Sequence, residues 1–255
     1  MAERVPERDL MIDSPCRVLV FSANQVNDAL DTDNELRAIR NALPDAAVVD
    51  YLPATRADEL VVDIRERKPN IIHFMGHGRP GGIELAHGRN DFRPVTGEAL
   101  GQLFEGRGIQ LVVLSSCYSA SQAHQIEPAV VAVVGTPDRL EDESSQRFAA
   151  AFYRTLGRGG SVDEALRDGQ DAVNLQNLSD RFVCLGDGSL RLRPSGESSV
   201  AVAPRSGPPA AIDSSPLADG PDTTVAVWRV AALGLAIGLA VLGLYLVIDG
   251  LRSAA

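Results

Sequence analysis

Five short apolar runs, at 17–22 (RVLVFS), 46–52 (AAVVDYL), 71–75 (IIHFM), 110–114 (QLVVL) and 130–134 (VVAVV), are separated by segments that carry apolar residues at helical spacing. Runs this short, alternating with helical patterns, predict an α/β sandwich with a mostly parallel sheet. The spacing of Leu36, Ile39 and Leu43 predicts a helix capped by Thr32 or Asp33 and broken at Pro44. Further helices are predicted from Thr55 to about Lys68, from Thr96 over Leu100, Leu103 and Phe104, near 119–125, and over 142–156. Ser161 and Glu164 form a capping box ahead of a last one, with Ala165, Leu166 and Val173 inward. A small hairpin is expected around Gly81, Gly82 and 83–85, then a loop through Pro94. Gly186-Asp187-Gly188 between 181–185 and 189–192 is a hairpin signal.

Two of the runs end alike. QLVVL stops at Ser115-Ser116-Cys117, and NIIHFM stops at Gly76-His77-Gly78. A parallel strand delivers the residues after it to the carboxyl edge of the sheet, where open α/β sheets place their chemistry. If the two strands are neighbours, His77 and Cys117 emerge together. A thiol attacks as its thiolate, and an adjacent imidazole removes the proton and later returns it to a leaving amine. Gly78 has no side chain to block its N–H, which suits it, with the N–H of Cys117, to stabilise an oxyanion. A cysteine after a strand is also an ordinary packing residue.

The net charge of −10 excludes the basic footprint of a nucleic-acid binder. Cys16, Cys117 and Cys184 are odd in number and widely spaced, which gives neither a disulfide framework nor paired metal ligands and suits a reducing compartment. His73 and His77 lie four apart on a strand with no third ligand, so no metal or cofactor is implied; His73 is expected to face a helix as a core residue. His87 and His124 are expected in exposed polar loops, Cys16 and Cys184 in structural positions. No P-loop and no G-x-G-x-x-G opening a helix is present, which argues against a nucleotide-binding domain.

The C-terminal part differs. Residues 194–224 are rich in Pro, Ser, Gly and Ala and read as a linker. Residues 230–248 (VAALGLAIGLAVLGLYLVI) carry no charge, and at about 1.5 Å per residue they span roughly 28 Å, near the thickness of a bilayer core. Trp228 and Arg229 suit a membrane boundary. The expected layout is a loose 1–15 with no signal peptide, a domain at 16–193, the linker, a transmembrane helix at 228–249 and a tail at 250–255. This predicts a single-pass tail anchor in the lipid bilayer with the domain in the cytoplasm. Gly234 and Gly238 have the spacing of closely paired helices and permit a homodimer; glycine is also common in spans.

The segments HFMGHG and LVVLSSCYS, forty residues apart, resemble the CHAT family, caspase-like cysteine peptidases related to separase and caspases. VGTPDRL at 134–140, the 148–153 region, SVDEAL at 161–166 and the FVCLGDGSLRL segment at 182–192 are similar to its later half. The resemblance covers 16–193 and implies a caspase-like three-layer sandwich with a six-stranded, mostly parallel sheet and one reversed edge strand. It implies His77 as general base and acid, Cys117 as nucleophile, and Gly78 with Cys117 as oxyanion donors. It further implies a protein or peptide substrate and permits service in bacterial defence or regulated death; a separate activating protein partner is expected because so short a domain leaves little room for a sensor of its own. Tyr118 and Ser119 are candidates to line the substrate cleft. Asp138, Asp142 and Glu143 are candidates, by location alone, to meet a substrate side chain. The alternative is an inactive scaffold of the same fold that binds partners at the membrane.

Overall fold

A computed structural model of the protein describes residues 11–12, 15–23, 30–88 and 91–193. The expected linker and transmembrane helix lie outside the described residues. No helix among the described residues is long and apolar enough to cross a membrane.

Eleven strands and six helices follow along the described chain: β1 (Met11–Ile12), β2 (Arg17–Ala23), α1 (Thr32–Ala42), β3 (Val48–Leu52), α2 (Ala57–Arg67), β4 (Ile71–Gly76), β5 (Gly78–Arg79), β6 (Gly82–Gly88), β7 (Asp91–Val95), α3 (Gly97–Phe104), β8 (Leu111–Ser115), α4 (Ala120–Ile126), β9 (Ala132–Gly135), α5 (Asp142–Gly157), α6 (Val162–Asn174), β10 (Val183–Gly186) and β11 (Arg191–Leu192). The main sheet has six strands in the order β10-β9-β8-β4-β2-β3. Five are parallel, and β10 at the edge is antiparallel to β9. This is the expected mostly parallel sheet with one reversed edge strand.

The central strands are apolar on both faces because both faces are covered. Ile71 and Val113 pack with Leu36 and Ile39 of α1, Phe148 and Phe152 of α5, and Ala165 of α6. On the other face, Phe74 and Val112 pack with Leu60 and Ile64 of α2, Leu100 and Phe104 of α3, and Ile126 after α4 begins. Phe21, Ile39, Phe74 and Phe152 are fully buried, each contributing about 1.5–3 kcal/mol over exposure. Gly169 in α6 permits the closest helix contact: a Cβ there would lie 2.6 Å from the ring of Phe148. Phe148 in turn stacks on Phe182 with ring centroids 3.6 Å apart. A glycine inside a helix costs about 1 kcal/mol against alanine, and packing of this ring pair offsets it.

Three local expectations are corrected. The cap of α1 is Asp31, not Thr32 or Asp33; its Oδ1 accepts the N–H of Asn34 at 3.3 Å. The segment expected as a loop through Pro94 contains β7, which completes an antiparallel ribbon with β5 and β6. The chain around Gly186-Asp187-Gly188 is not a hairpin. β10 pairs with β9, while β11 pairs with β1. The carbonyls of Gly188 and Leu190 accept the N–H groups of Asp163 and Val162, so the start of α6 takes bonds that a hairpin partner would have taken.

Candidate active site

β4 and β8 are hydrogen-bonded parallel neighbours, with Met75 opposite Ser115. Each chain continues two residues past that pair, to His77 and to Cys117. Both residues are half-buried and line one pocket at the carboxyl edge of the sheet. The pocket's other walls are the start of α1, with Asp31 and Glu35, and the segment entering α5, with Leu140 and Asp142.

The turn carrying Cys117 is held from several sides. Tyr118 adopts the left-handed region at φ 56°, an unusual conformation for a residue with a Cβ. Its N–H donates to the carbonyl of Asp138 at 2.8 Å. Thr136, just past β9, donates its hydroxyl to the carbonyl of Ser116 at 2.6 Å, and its N–H donates to Ser119 Oγ at 2.9 Å. Ser119 Oγ also donates to the carbonyl of Leu114 at 3.1 Å. Cys117 Sγ accepts the N–H of Leu140 at 3.4 Å and lies 3.8 Å from that residue's carbonyl. Gly78 packs on this turn: a Cβ there would lie 2.3 Å from the Cys117 carbonyl oxygen. Only a glycine allows the two loops to approach so closely.

Ser119 was expected in the substrate cleft, but it is fully buried and serves the turn instead. Tyr118 is half-buried and is not part of the pocket lining. Of the three acids suggested by location, Asp142 lines the pocket. Asp138 contributes its backbone carbonyl to the turn, and Glu143 pairs with Arg147 on the surface. Sequence reasoning missed Glu35, Asp31, Thr136 and Leu140. Thr136 follows an apolar run and precedes a proline, so it read only as the end of a strand; Asp31 and Glu35 come from a helix distant in sequence.

The remaining titratable groups have structural surroundings. Burial pushes the Cys16 thiol up to about 12. Burial, with Asp163 and Asp187 nearby, pushes Cys184 up to about 11. His73 is buried against α1 and α5, its Nδ1 3.0 Å from the Tyr153 hydroxyl and its Nε2 3.0 Å from Glu35 Oε1. Burial, then Cys16 and Glu35, raise the Tyr153 phenol well above its ordinary value, so it stays protonated. His73 is a core residue facing a helix, as expected. His87 and His124 are exposed as expected, although they sit in β6 and α4 rather than in loops. No group of three or more His, Cys, Asp or Glu among the described residues is arranged to hold a metal ion.

The profile of the CHAT domain family matches residues 2–216. The chain belongs to the CHAT domain family. A curated relative, a Roc-COR-CHAT protease from an unidentified prokaryote, is 25% identical over 139 residues, which is 51% of this chain and 13% of that protein. This CHAT chain thus spans a small part of the length of that relative. Among solved structures, the Arg-specific cysteine proteinase gingipain R is similar in fold, with a TM-score of 0.51 and 14% identity, covering 69% of this chain and 47% of that one. The complex of the Porphyromonas gingivalis gingipain pro- and mature domains gives a TM-score of 0.50 at 14% identity, over 70% and 48% of the two chains. The CHAT chain therefore has a mixed α/β fold like that of caspase-like cysteine proteases.

Proposed function

We propose that this CHAT domain is a cysteine endopeptidase with His77 and Cys117 as its catalytic dyad. The observation that carries the proposal is the register: in two neighbouring parallel strands each dyad member lies two residues past the paired Met75 and Ser115, and both members line one pocket. His77 takes the thiol proton, and the Cys117 sulfur attacks the carbonyl carbon of the scissile peptide. The resulting oxyanion is met by the N–H groups of Gly78 and Cys117. The tetrahedral intermediate collapses as His77 protonates the leaving amine, and water then releases the acyl group with His77 as base. The protease relative and the fold shared with gingipain R support this assignment.

Leu140 occupies both the donor and acceptor directions of the Cys117 thiol, which favours activation by a separate partner that shifts the segment before α5. Anchoring through 228–249, with self-pairing at Gly234 and Gly238, completes the proposal and rests on the uncharged run of the sequence. A role in bacterial defence or regulated death belongs to the proposal only through the family resemblance of the sequence.

The test is cleavage of co-expressed cellular protein by the full chain, read as new N-termini by mass spectrometry. Cys117→Ala and His77→Ala are each expected to abolish cleavage and any toxicity on expression. Full retention in both overturns the dyad. Membrane anchoring is tested by alkaline carbonate extraction, where release into the soluble fraction overturns it.

A further inference from the structure

We propose that the pocket beside Cys117 selects an arginine or lysine side chain on the acyl side of the cleaved bond. The proposal rests on the peptidase assignment above and adds which residue that peptidase accepts.

Four of the side chains lining the pocket are carboxylic acids: Asp31, Glu35, Glu141 and Asp142. Among the described residues no lysine or arginine lines it; Arg139, next to Leu140, is exposed and outside the lining. The starts of α1 and α5 both face the pocket and oppose this charge. Each helix start is worth roughly half a positive charge, so together they offset about one of the four carboxylates. Part of that compensation is already spent. Asp31 caps α1 through Asn34, and its own N–H donates to Asp142 Oδ2 at 3.0 Å. The remaining field is negative.

Glu35 is only 4% exposed, and its Oε1 lies 3.0 Å from His73 Nε2. One buried polar group lining the pocket lacks the partner that burial requires. Ser115 is 6% exposed and its Oγ has no hydrogen-bond partner. It shares a strand face with Leu111 and Val113, the face covered by α1 and α5, which is where the pocket lies. A buried hydroxyl left unmet costs free energy, and a ligand carrying several N–H donors and a positive charge would meet it and the carboxylates together. A guanidinium offers five donors and an ammonium three. An acidic side chain would be repelled by the carboxylates. An aliphatic one would desolvate them without pairing, which is worse than leaving them in water.

The experiment measures binding without cleavage. The full chain carrying Cys117→Ala is titrated by NMR with blocked tripeptides, acetyl-Ala-Ala-Xaa-amide, where Xaa is Arg, Lys, citrulline, Leu or Asp. Citrulline keeps the shape of arginine and removes its charge. Arg and Lys peptides are expected to bind at least about tenfold more tightly than the other three. Adding Asp142→Asn, or separately Glu35→Gln, is expected to remove most of that preference, bringing the Arg and Lys peptides toward the affinity of the citrulline peptide. Asp142 is half-exposed, so its variant tests the pocket even if Glu35→Gln disturbs folding. Equal affinity for all five peptides, tighter binding of Leu or Asp, or no binding of any peptide overturns the proposal. None of those outcomes depends on whether Cys117 cleaves. The peptidase assignment fails separately, if the Cys117→Ala chain still cleaves protein.

Discussion

The backbone N–H of Leu140 donates to the sulfur of Cys117 at 3.4 Å, joining the segment before α5 to the turn after β8. Cys117 is half-buried at the pocket, whereas the other two thiols are held as neutral groups by their surroundings. Alkylation consumes thiolate, so a thiol titrating near 12 or 11 is almost unreactive at pH 8. Iodoacetamide at pH 8 is expected to modify Cys117 first, with Cys16 and Cys184 slower by about a hundredfold or more. Peptide mass spectrometry over a time course measures all three rates. Similar rates at Cys16 would mean that its burial does not persist in solution.

Gly78→Ala is expected to damage both the fold and the site. The added Cβ would sit 2.3 Å from the Cys117 carbonyl, a backbone atom that cannot rotate away. Either the ribbon of β5 and β6 shifts, or the Cys117 turn does. Overpacking of this kind costs about 1–3 kcal/mol. Thermal denaturation should show the loss, and substrate cleavage should fall well below what that loss alone explains. Unchanged cleavage would exclude Gly78 as an oxyanion donor fixed by this contact.

Tyr153→Phe removes one hydroxyl and little volume. His73 Nδ1 would then lose its hydrogen-bond partner inside the core, where His73 is 1% exposed. A buried polar group left unmet costs about 1–3 kcal/mol. Urea denaturation should show that loss with an unchanged slope. The effect should shrink in a His73→Phe background, because the stranded nitrogen is then absent. Additive losses in the double variant would separate the two side chains energetically.

The strands that carry the site were legible because their composition changes abruptly. LVVLS and IIHFMG run apolar and then meet small or polar residues, a signal that needs no tertiary information. β7 (DFRPV) was not legible. It is an exposed ribbon strand with two charges and a proline, none of which favours a strand locally. The segment after β10 has a hairpin's turn residues, yet its partner was decided by the start of α6, which local residues do not encode. The pocket's acids were only partly legible for the same reason. Asp142 follows β9 closely, while Asp31 meets it from 111 positions away. The chemistry of two adjacent loops could be read from the chain; the wall opposite them required the packing of α1 against α5.

Alkaline pH should weaken the fold through Cys16 before most other groups respond. The thiol's ordinary value is 9.0, and burial carries it up to about 12 in the folded chain. Below pH 9 both states are protonated, and the stabilisation is complete. Above it the unfolded chain loses the proton while the folded chain keeps it, so stability falls until the pH passes about 12. At roughly 1.4 kcal/mol per pH unit, moving from pH 9 to 10.5 should cost about 2 kcal/mol. Tyr153 adds a loss of the same sign at higher pH, since its phenol is also raised by burial. Urea denaturation at pH 8, 9.5 and 10.5 measures the slope. Cys16→Ala should be less stable at pH 8, because a cavity replaces the sulfur, yet flatter between pH 9 and 10.5. Parallel slopes for the two chains would place the alkaline loss on other groups.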